Sequence, residues 1–505
     1  MWRTESAVLA AIVVAPAVTA LLAFLFGGRS PRVFGRLGAV TAGAGFLASA
    51  ALAVGAAGGQ TATMSIGPAE FGVDRLAAVL LLLVFGVSTI VQAFAVRYLA
   101  GDPRAAWFTA GAGLLTAASA GLTTAATLVT LALTWTLAGI ALCLLLGTYW
   151  HLADARDGVR RTAIAFLIGD AALWVAVAAA TATWGRIDLR ADTALDGPLV
   201  PVLGVLVVLA ALSRSAQIPF HRWLPATLAA PTPVSALLHA GVVNAGGILL
   251  IRLAPLSADD LARAITILAG AATMVYGTAV MLVKPDIKGA LAHSTTAQMG
   301  FMILTCGLGL WAAAVIHLVA HGFYKATLFL SSGSAIARQR RHEALPPTPD
   351  PVGGQRLGSL AASVVLPGVA LGIALAVAPL PGGDHAAEQA LMIFAWATGA
   401  AARWGWLQRH PGLRGALTGA AVLLPVAIGY VAIVRALSGF LTPALPPAGV
   451  SVTTVWVLTV AALAALGALA AVRRSSGAVR IQQALYSGAL SAGHISPAVP
   501  TGGRS

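Results

Sequence analysis

Three titratable residues recur at intervals of four in residues 316–334, IHLVAHGFYKATLFLSSGS: His317, His321 and Lys325. On an α-helix each step of four falls only about 40° from a full turn, so these side chains form one ladder along about 12 Å of axis. Histidine titrates near neutrality, and a lysine taken out of water gives up its proton more readily, so such a ladder can load and release protons. The competing reading is that the imidazoles bond to polar neighbours and the amine reaches a headgroup.

A second polar cluster lies in residues 212–253, LSRSAQIPFHRWLPATLAAPTPVSALLHAGVVNAGGILLIRL, where Pro219, Pro225, Pro231 and Pro233 crowd between two apolar runs. Proline deletes a backbone donor and clashes with the preceding turn, which predicts an interrupted helix near residues 214–233. Broken helices survive at membrane depth only where protein or a watery cavity satisfies the freed backbone, and transporters place ion sites there. A plain cytoplasmic turn is the alternative. Arg214, Ser215 and Gln217 precede the break and His239 follows it. Arginine stays protonated, so Arg214 is a fixed charge, and Asp170 on the sixth apolar run is its expected partner, as a gate or as a clamp.

The elements that must position these groups follow from composition. Of 505 residues, 58% are hydrophobic and 10% charged, against roughly 25% charged in a soluble domain, which excludes a water-soluble fold. Apolar runs centre near residues 17, 47, 85, 116, 138, 173, 210, 243, 272, 300, 323, 368, 397, 425 and 462. The chain therefore reads as an all-α polytopic membrane bundle of about 14–15 spans, the first retained rather than cleaved as a signal peptide. Small residues, above all the 55 glycines, serve close packing between helices.

Basic residues alternate sides along this map. Loops after the odd-numbered spans, with the tail, hold 22 Lys and Arg against 6 acids, and they include Lys288, Arg222 and Arg403. The positive-inside rule then puts the N-terminus outside and the C-terminus in the cytoplasm of a multi-pass cell-membrane protein. It accounts for the net charge of +14 without nucleic acid as a partner. Asp170, Arg214 and Lys325 are the charges left at bilayer depth, where an ionisable group costs about 2.5 to 3.5 kcal/mol and marks an ion path. The two cysteines, Cys143 and Cys306, lie far apart in apolar runs and offer neither a disulfide framework nor a metal site, so no cofactor is expected in this chain.

The motifs SRSAQIPFHRWLPATLAAPTPVSALLHA, DIKGALAHSTTAQMGFM and HLVAHGFYKATLFLSSGS resemble those of the antiporter-like membrane subunits of respiratory complex I, related hydrogenases and Mrp-type antiporters. The resemblance runs over about residues 73–337 and implies an antiporter-like fold. It also implies that His239, His317, His321 and Lys325 lie on a proton-carrying axis; Ser215, Gln217 and Lys288 are read beside them as supporting polar residues. Five segments follow: N-terminal helices 1–72, the core 73–337, a cytoplasmic loop 338–356, C-terminal helices 357–472 and a cytoplasmic tail 473–505.

Some positions depart from the family pattern. Its lysine before the break is Arg214, its acid after the fifth-helix tryptophan is Thr136 following Trp135, and its later lysine has no counterpart in residues 357–380. With PFHRWLP, HAGVVNAGG and a short C-terminal end, the chain resembles most the membrane subunits of DAB-type inorganic carbon pumps. That branch implies a DabA-like cytoplasmic partner, a zinc protein resembling a β-carbonic anhydrase, whose CO2 hydration is driven by cations, read as protons, passing through the membrane subunit. A proton-pumping subunit of an NADH-quinone oxidoreductase-type or Mrp-type complex is the alternative.

Overall fold

A computed structural model describes residues 2–190, 195–343, 354–380, 385–410, 412–447, 449–474 and 479–493. Except near residue 243, where the run centres on a 3-10 turn between two short helices, each predicted apolar run falls on helix. In chain order these are α1 (Trp2–Phe26), α2 (Pro31–Ala57), α3 (Arg75–Tyr98), α4 (Ala105–Thr124), α5 (Leu128–Leu146), α6 (Ala153–Trp184), α7 (Val200–Arg214), α8 (Thr232–Ala240), α9 (Ala245–Arg252), α10 (Ala254–Ser257), α11 (Asp260–Val283), α12 (Ile287–Gly307), α13 (Trp311–Glu343), α14 (Gly354–Val377), α15 (Ala386–Arg409), α16 (Leu413–Leu441), α17 (Val452–Arg474) and α18 (Val479–Ala492). Among the described residues eleven helices are long and apolar enough to cross a membrane. The fold is a polytopic helical membrane bundle. One short hairpin, β1 (Ala62–Ile66) and β2 (Ala69–Val73), interrupts the helices, with Gly67 at φ +57° in its turn.

Contacts divide the chain into two units. The first comprises Met1–Leu308, Leu318–Ile336 and Arg480–Ser505. Its helix starts are set by short polar caps: Asp74 accepts from Ala77 N at 2.7 Å, Thr127 from Thr130 N at 3.2 Å, and Asp286 from Gly289 N at 2.5 Å. Glycine permits its tightest packing. A Cβ on Gly277 of α11 would lie 2.5 Å from Ala297 N of α12, so these two helices meet backbone to backbone.

The seventh span stops where the prolines require. α7 ends at Arg214, Ala216 takes the left-handed region at φ +50°, and 3-10 turns at His221–Trp223 and Pro225–Thr227 lead to α8, which opens behind Pro231. A second break follows at Gly241, where a 3-10 turn, Val242–Asn244, separates α8 from α9. Side chains satisfy the backbone groups that both breaks free: Ser215 Oγ donates to Val243 O (2.6 Å), Trp223 Nε1 to Ser213 O (2.9 Å), and Ile218 N to Thr273 Oγ1 (3.0 Å).

The second unit comprises Gly309–His317 and Ala337–Val479. Indole and phenol groups fasten its helices, Trp396 donating to Val364 O and Trp406 to Gly415 O, both at 2.8 Å, and Tyr430 to Leu391 O at 3.1 Å. Several boundaries differ from the sequence reading. Arg403, expected in a loop, is a buried residue of α15 that donates to Ala416 O at 3.3 Å, and Lys288 lies in the first turn of α12 instead of preceding it. The 338–356 loop is partly helical, because α13 continues to Glu343 and α14 begins at Gly354; residues 344–353 lie outside the described residues. The 473–505 tail contains α18, whose Ala492 O accepts from Tyr276, and its residues 494–505 also lie outside the described residues.

Candidate functional site

Two stations of buried charge occupy the first unit. At the first, Arg214 Nη2 donates to Asp170 Oδ1 at 2.8 Å, joining the last residue of α7 to α6. Trp135 of α5 donates its indole N–H to the same carboxylate oxygen at 2.7 Å, and its carbonyl accepts from Arg214 Nη1 at 3.2 Å. The guanidinium carbon lies 4.4 Å from the centre of the Trp135 ring and 4.1 Å from that of Phe166. Gly139, one turn beyond Trp135, leaves the room this requires: a Cβ there would stand 3.0 Å from both terminal nitrogens of Arg214. Thr136, where the family pattern has an acid, instead accepts from Trp174 at 3.1 Å. The counter-charge for the cation on α7 comes from α6.

The second station is built on α12. Lys325, fully buried on α13, donates Nζ to Ser294 Oγ and to Leu291 O (3.4 Å). The next residue, Thr295, hydrogen-bonds His239 Nδ1 at 3.1 Å. The His239 ring stacks on Phe329, one turn beyond Lys325, with centroids 4.3 Å apart and planes 16° apart. Successive hydroxyls of one helix thus hold the amine of α13 and the imidazole of α8. His239 Nε2 is buried without a hydrogen-bond partner, and Lys325 and Lys288 are both within electrostatic reach of this ring. Gly322 allows the approach, because a Cβ there would lie 2.8 Å from Ala240 O, the last carbonyl of α8. Among the described residues Lys325 has no carboxylate within ion-pair distance.

The remaining predicted residues divide. His321 is buried in the first unit, one turn before Lys325. His317, although on the same helix, belongs to the second unit, where its ring meets Phe394 edge-on at 5.3 Å. Ser215 and Gln217 are buried and donate to backbone carbonyls at the break, Gln217 Nε2 reaching Ser215 O at 2.7 Å. Lys288 is half-buried.

Sequence reasoning missed two groupings. His293 of α12 is buried with neither ring nitrogen hydrogen-bonded, and its ring faces Tyr276 (6.0 Å), which in turn meets His221 at 4.6 Å. His293 stands in the quoted AHSTT run, immediately before Ser294 and Thr295. Arg252, at the end of α9, pairs with Asp74 at the start of α3 and donates to Thr123 O at 3.2 Å. Burial opposes the charge of Asp74, but the Arg252 charge and hydrogen bonds outweigh it and hold the carboxyl below the usual aspartate value.

Residues 125–348 match the family described as NADH:quinone oxidoreductase/Mrp antiporter, TM, and residues 62–109 match the complex I chain 5 N-terminus. Both stations fall within the first match. Over these residues the chain is similar to this antiporter-like family. Its curated relatives include the "Probable inorganic carbon transporter subunit DabB1" of Halothiobacillus neapolitanus, 38% identical over 319 residues, covering 61% of this chain and 57% of that protein. The DabB of Bacillus subtilis is 38% identical over 293 residues, 54% of this chain and 55% of that protein. NADH-quinone oxidoreductase subunit L of Mycobacterium tuberculosis is 32% identical over 369 residues, 70% of this chain and 55% of that protein. The chain thus spans about half the length of the curated relatives it matches. In fold, the antiporter-like core and its flanks resemble the Mrp complex from Dietzia sp. DQ12-45-1b, with TM-score 0.59, 24% identity and 99% of this chain covered against 64% of that one. They also resemble an archaeal membrane-bound sulfane sulfur reductase, with TM-score 0.65, 18% identity and coverage of 89% and 99%.

Proposed function

We propose that the chain is the proton-translocating membrane subunit of an energy-coupled inorganic carbon uptake complex handling CO2 and bicarbonate. The observation that carries this reading is the second station, a buried lysine held by a hydroxyl and a carbonyl beside a buried histidine. Ser294 Oγ can accept from an ammonium or donate to a neutral amine, so the setting serves both protonation states. The similarity to subunits named DabB supports carbon uptake as the role.

In this reading the chain is a transport subunit, not an enzyme. It lies in the cell membrane with its N-terminus outside and C-terminus in the cytoplasm. Its partner is a DabA-like cytoplasmic zinc protein resembling a β-carbonic anhydrase, docked on the loops after the seventh and eleventh spans, and the zinc is the partner's. One charge crossing 100 mV releases about 2.3 kcal/mol, enough to bias hydration of CO2 toward bicarbonate by more than tenfold. A host lacking carbonic anhydrase tests it. The chain and partner together restore growth in air, and Lys325→Ala or a proton uncoupler abolishes the rescue; rescue untouched by both overturns the reading. The second reading, a proton-pumping subunit of a quinone-oxidoreductase complex, is favoured by the longer stretch, 70% of the chain, that aligns with subunit L.

A further inference from the structure

A line of hydroxyls and cavities follows α3 and α4, apart from Lys325 and His239 and reaching Arg214 of the first station. At one end an open cleft of about 560 Å³ lies between the α1–α2 and α3–α4 loops, with Arg32, Asp102, Thr109 and Gln92 among its walls. Deeper in the same helix pair is a cavity of about 50 Å³ reached by Ser88, Thr116, Ser119, Thr123, Asn244 and Arg214. One side-chain contact joins them: Gln92, from the cleft, donates Nε2 to Ser88 Oγ, from the cavity, at 2.8 Å, and Ser88 Oγ lies 2.7 Å from Thr116 Oγ1. Beyond Thr123 the line is closed, since Arg252 binds its carbonyl and pairs with Asp74.

Three buried polar atoms along this line have no hydrogen-bond partner: Gln92 Oε1 at the junction, and Asn244 Oδ1 and Arg214 Nε on residues that wall the cavity. A buried unsatisfied polar atom costs about 1–3 kcal/mol, whereas a water with two to four polar neighbours removes that cost. An apolar void of this size stays dry, but this one has hydroxyl, amide and guanidinium walls and room for about three waters. Gln92 holds its place at this junction against α2, because its Oε1 fills the space that Gly38 leaves open, where any Cβ would collide.

We propose that the α3–α4 seam is a hydrated passage, gated by Gln92, that brings water from the face bearing Arg32 and Asp102 to the Arg214 guanidinium. The arrangement gives the Arg214–Asp170 pair water on its Arg214 side by a route separate from Lys325 and His239. It stands whichever complex the chain serves.

Accessible thiols test it in membrane fragments containing the full chain, with both faces open to solution. Cysteine is placed singly at Ser88, Ser119, Thr109 and, as a dry control, Leu81, which is fully buried and walls neither space. The probe is Ag⁺ in chloride-free buffer, scored as loss of later maleimide labelling after denaturation, with the unsubstituted chain and its Cys143 and Cys306 as background. The thiols at 88 and 119 are expected to react at least tenfold faster than that at 81. Gln92→Leu is expected to slow both at least tenfold while leaving 109, on the outer side, unchanged. Equal rates at 88, 119 and 81 overturn the passage, and this comparison stands alone if Gln92→Leu lowers abundance. Fast reaction that ignores Gln92→Leu overturns the gate and its direction of access.

Discussion

Lys325 and Arg214 are both buried cations, yet their surroundings differ in kind. Arg214 has a carboxylate, a carbonyl and two aromatic faces, and its charge is permanent. Removing its carboxylate strands that charge, and breaking such a pair costs about 3–5 kcal/mol. Asp170→Asn is therefore expected to lower abundance and melting temperature sharply, while Asp170→Leu combined with Arg214→Met recovers most of the loss, as read by fluorescence-detected size exclusion. The Asp74–Arg252 pair answers to pH. A carboxyl held below its unfolded value adds stability above that value, and the gain disappears as pH falls through the folded one. Asp74→Asn is expected to melt lower than the parent at pH 7, with the gap closing below about pH 4; a gap that widens on acidification would contradict the assignment. Asp170 and Arg214 were legible together because few charges lie at bilayer depth and each needs an opposite. Arg252 and Asp74 were not, since each reads as an ordinary charge at a helix end.

At the scale of elements, the proline-rich break was legible because the missing donors leave a helix no other course. The second break, at Gly241, carried no comparable signal. The four-residue spacing found Lys325 and His321, but it also grouped them with His317, which packs with the second unit; periodicity gives a face, not what the face meets. The α12 hydroxyls at 294 and 295 fall inside a recognisable motif, but nothing in sequence says that they stand opposite α8 and α13. Close approach makes this junction sensitive to one methyl group. Gly322→Ala gains intrinsic helix propensity of up to about 1 kcal/mol. It also forces a Cβ against Ala240 O, and overpacking of this kind costs about 1–3 kcal/mol. The expected result is lower transport per molecule with modest loss of melting temperature; full transport would show that the α8–α13 spacing is not critical.

For the whole molecule, hydrophobic runs and small residues were enough to specify a polytopic bundle; among the described residues each apolar run became a helical region, and α18 is a helix that no run announced. The charge that composition could not place is Arg403, buried in α15 where a loop was expected. The proposed proton passage runs through Lys325, and the sharpest separation of charge from proton exchange is Lys325→Arg, because arginine keeps the cation but does not release its proton. In sealed vesicles carrying the chain with the proposed partner, an imposed pH gradient should drive uncoupler-sensitive proton flux in the parent. Lys325→Arg should abolish that flux at unchanged abundance. Parental flux through Lys325→Arg would contradict a proton path through this amine.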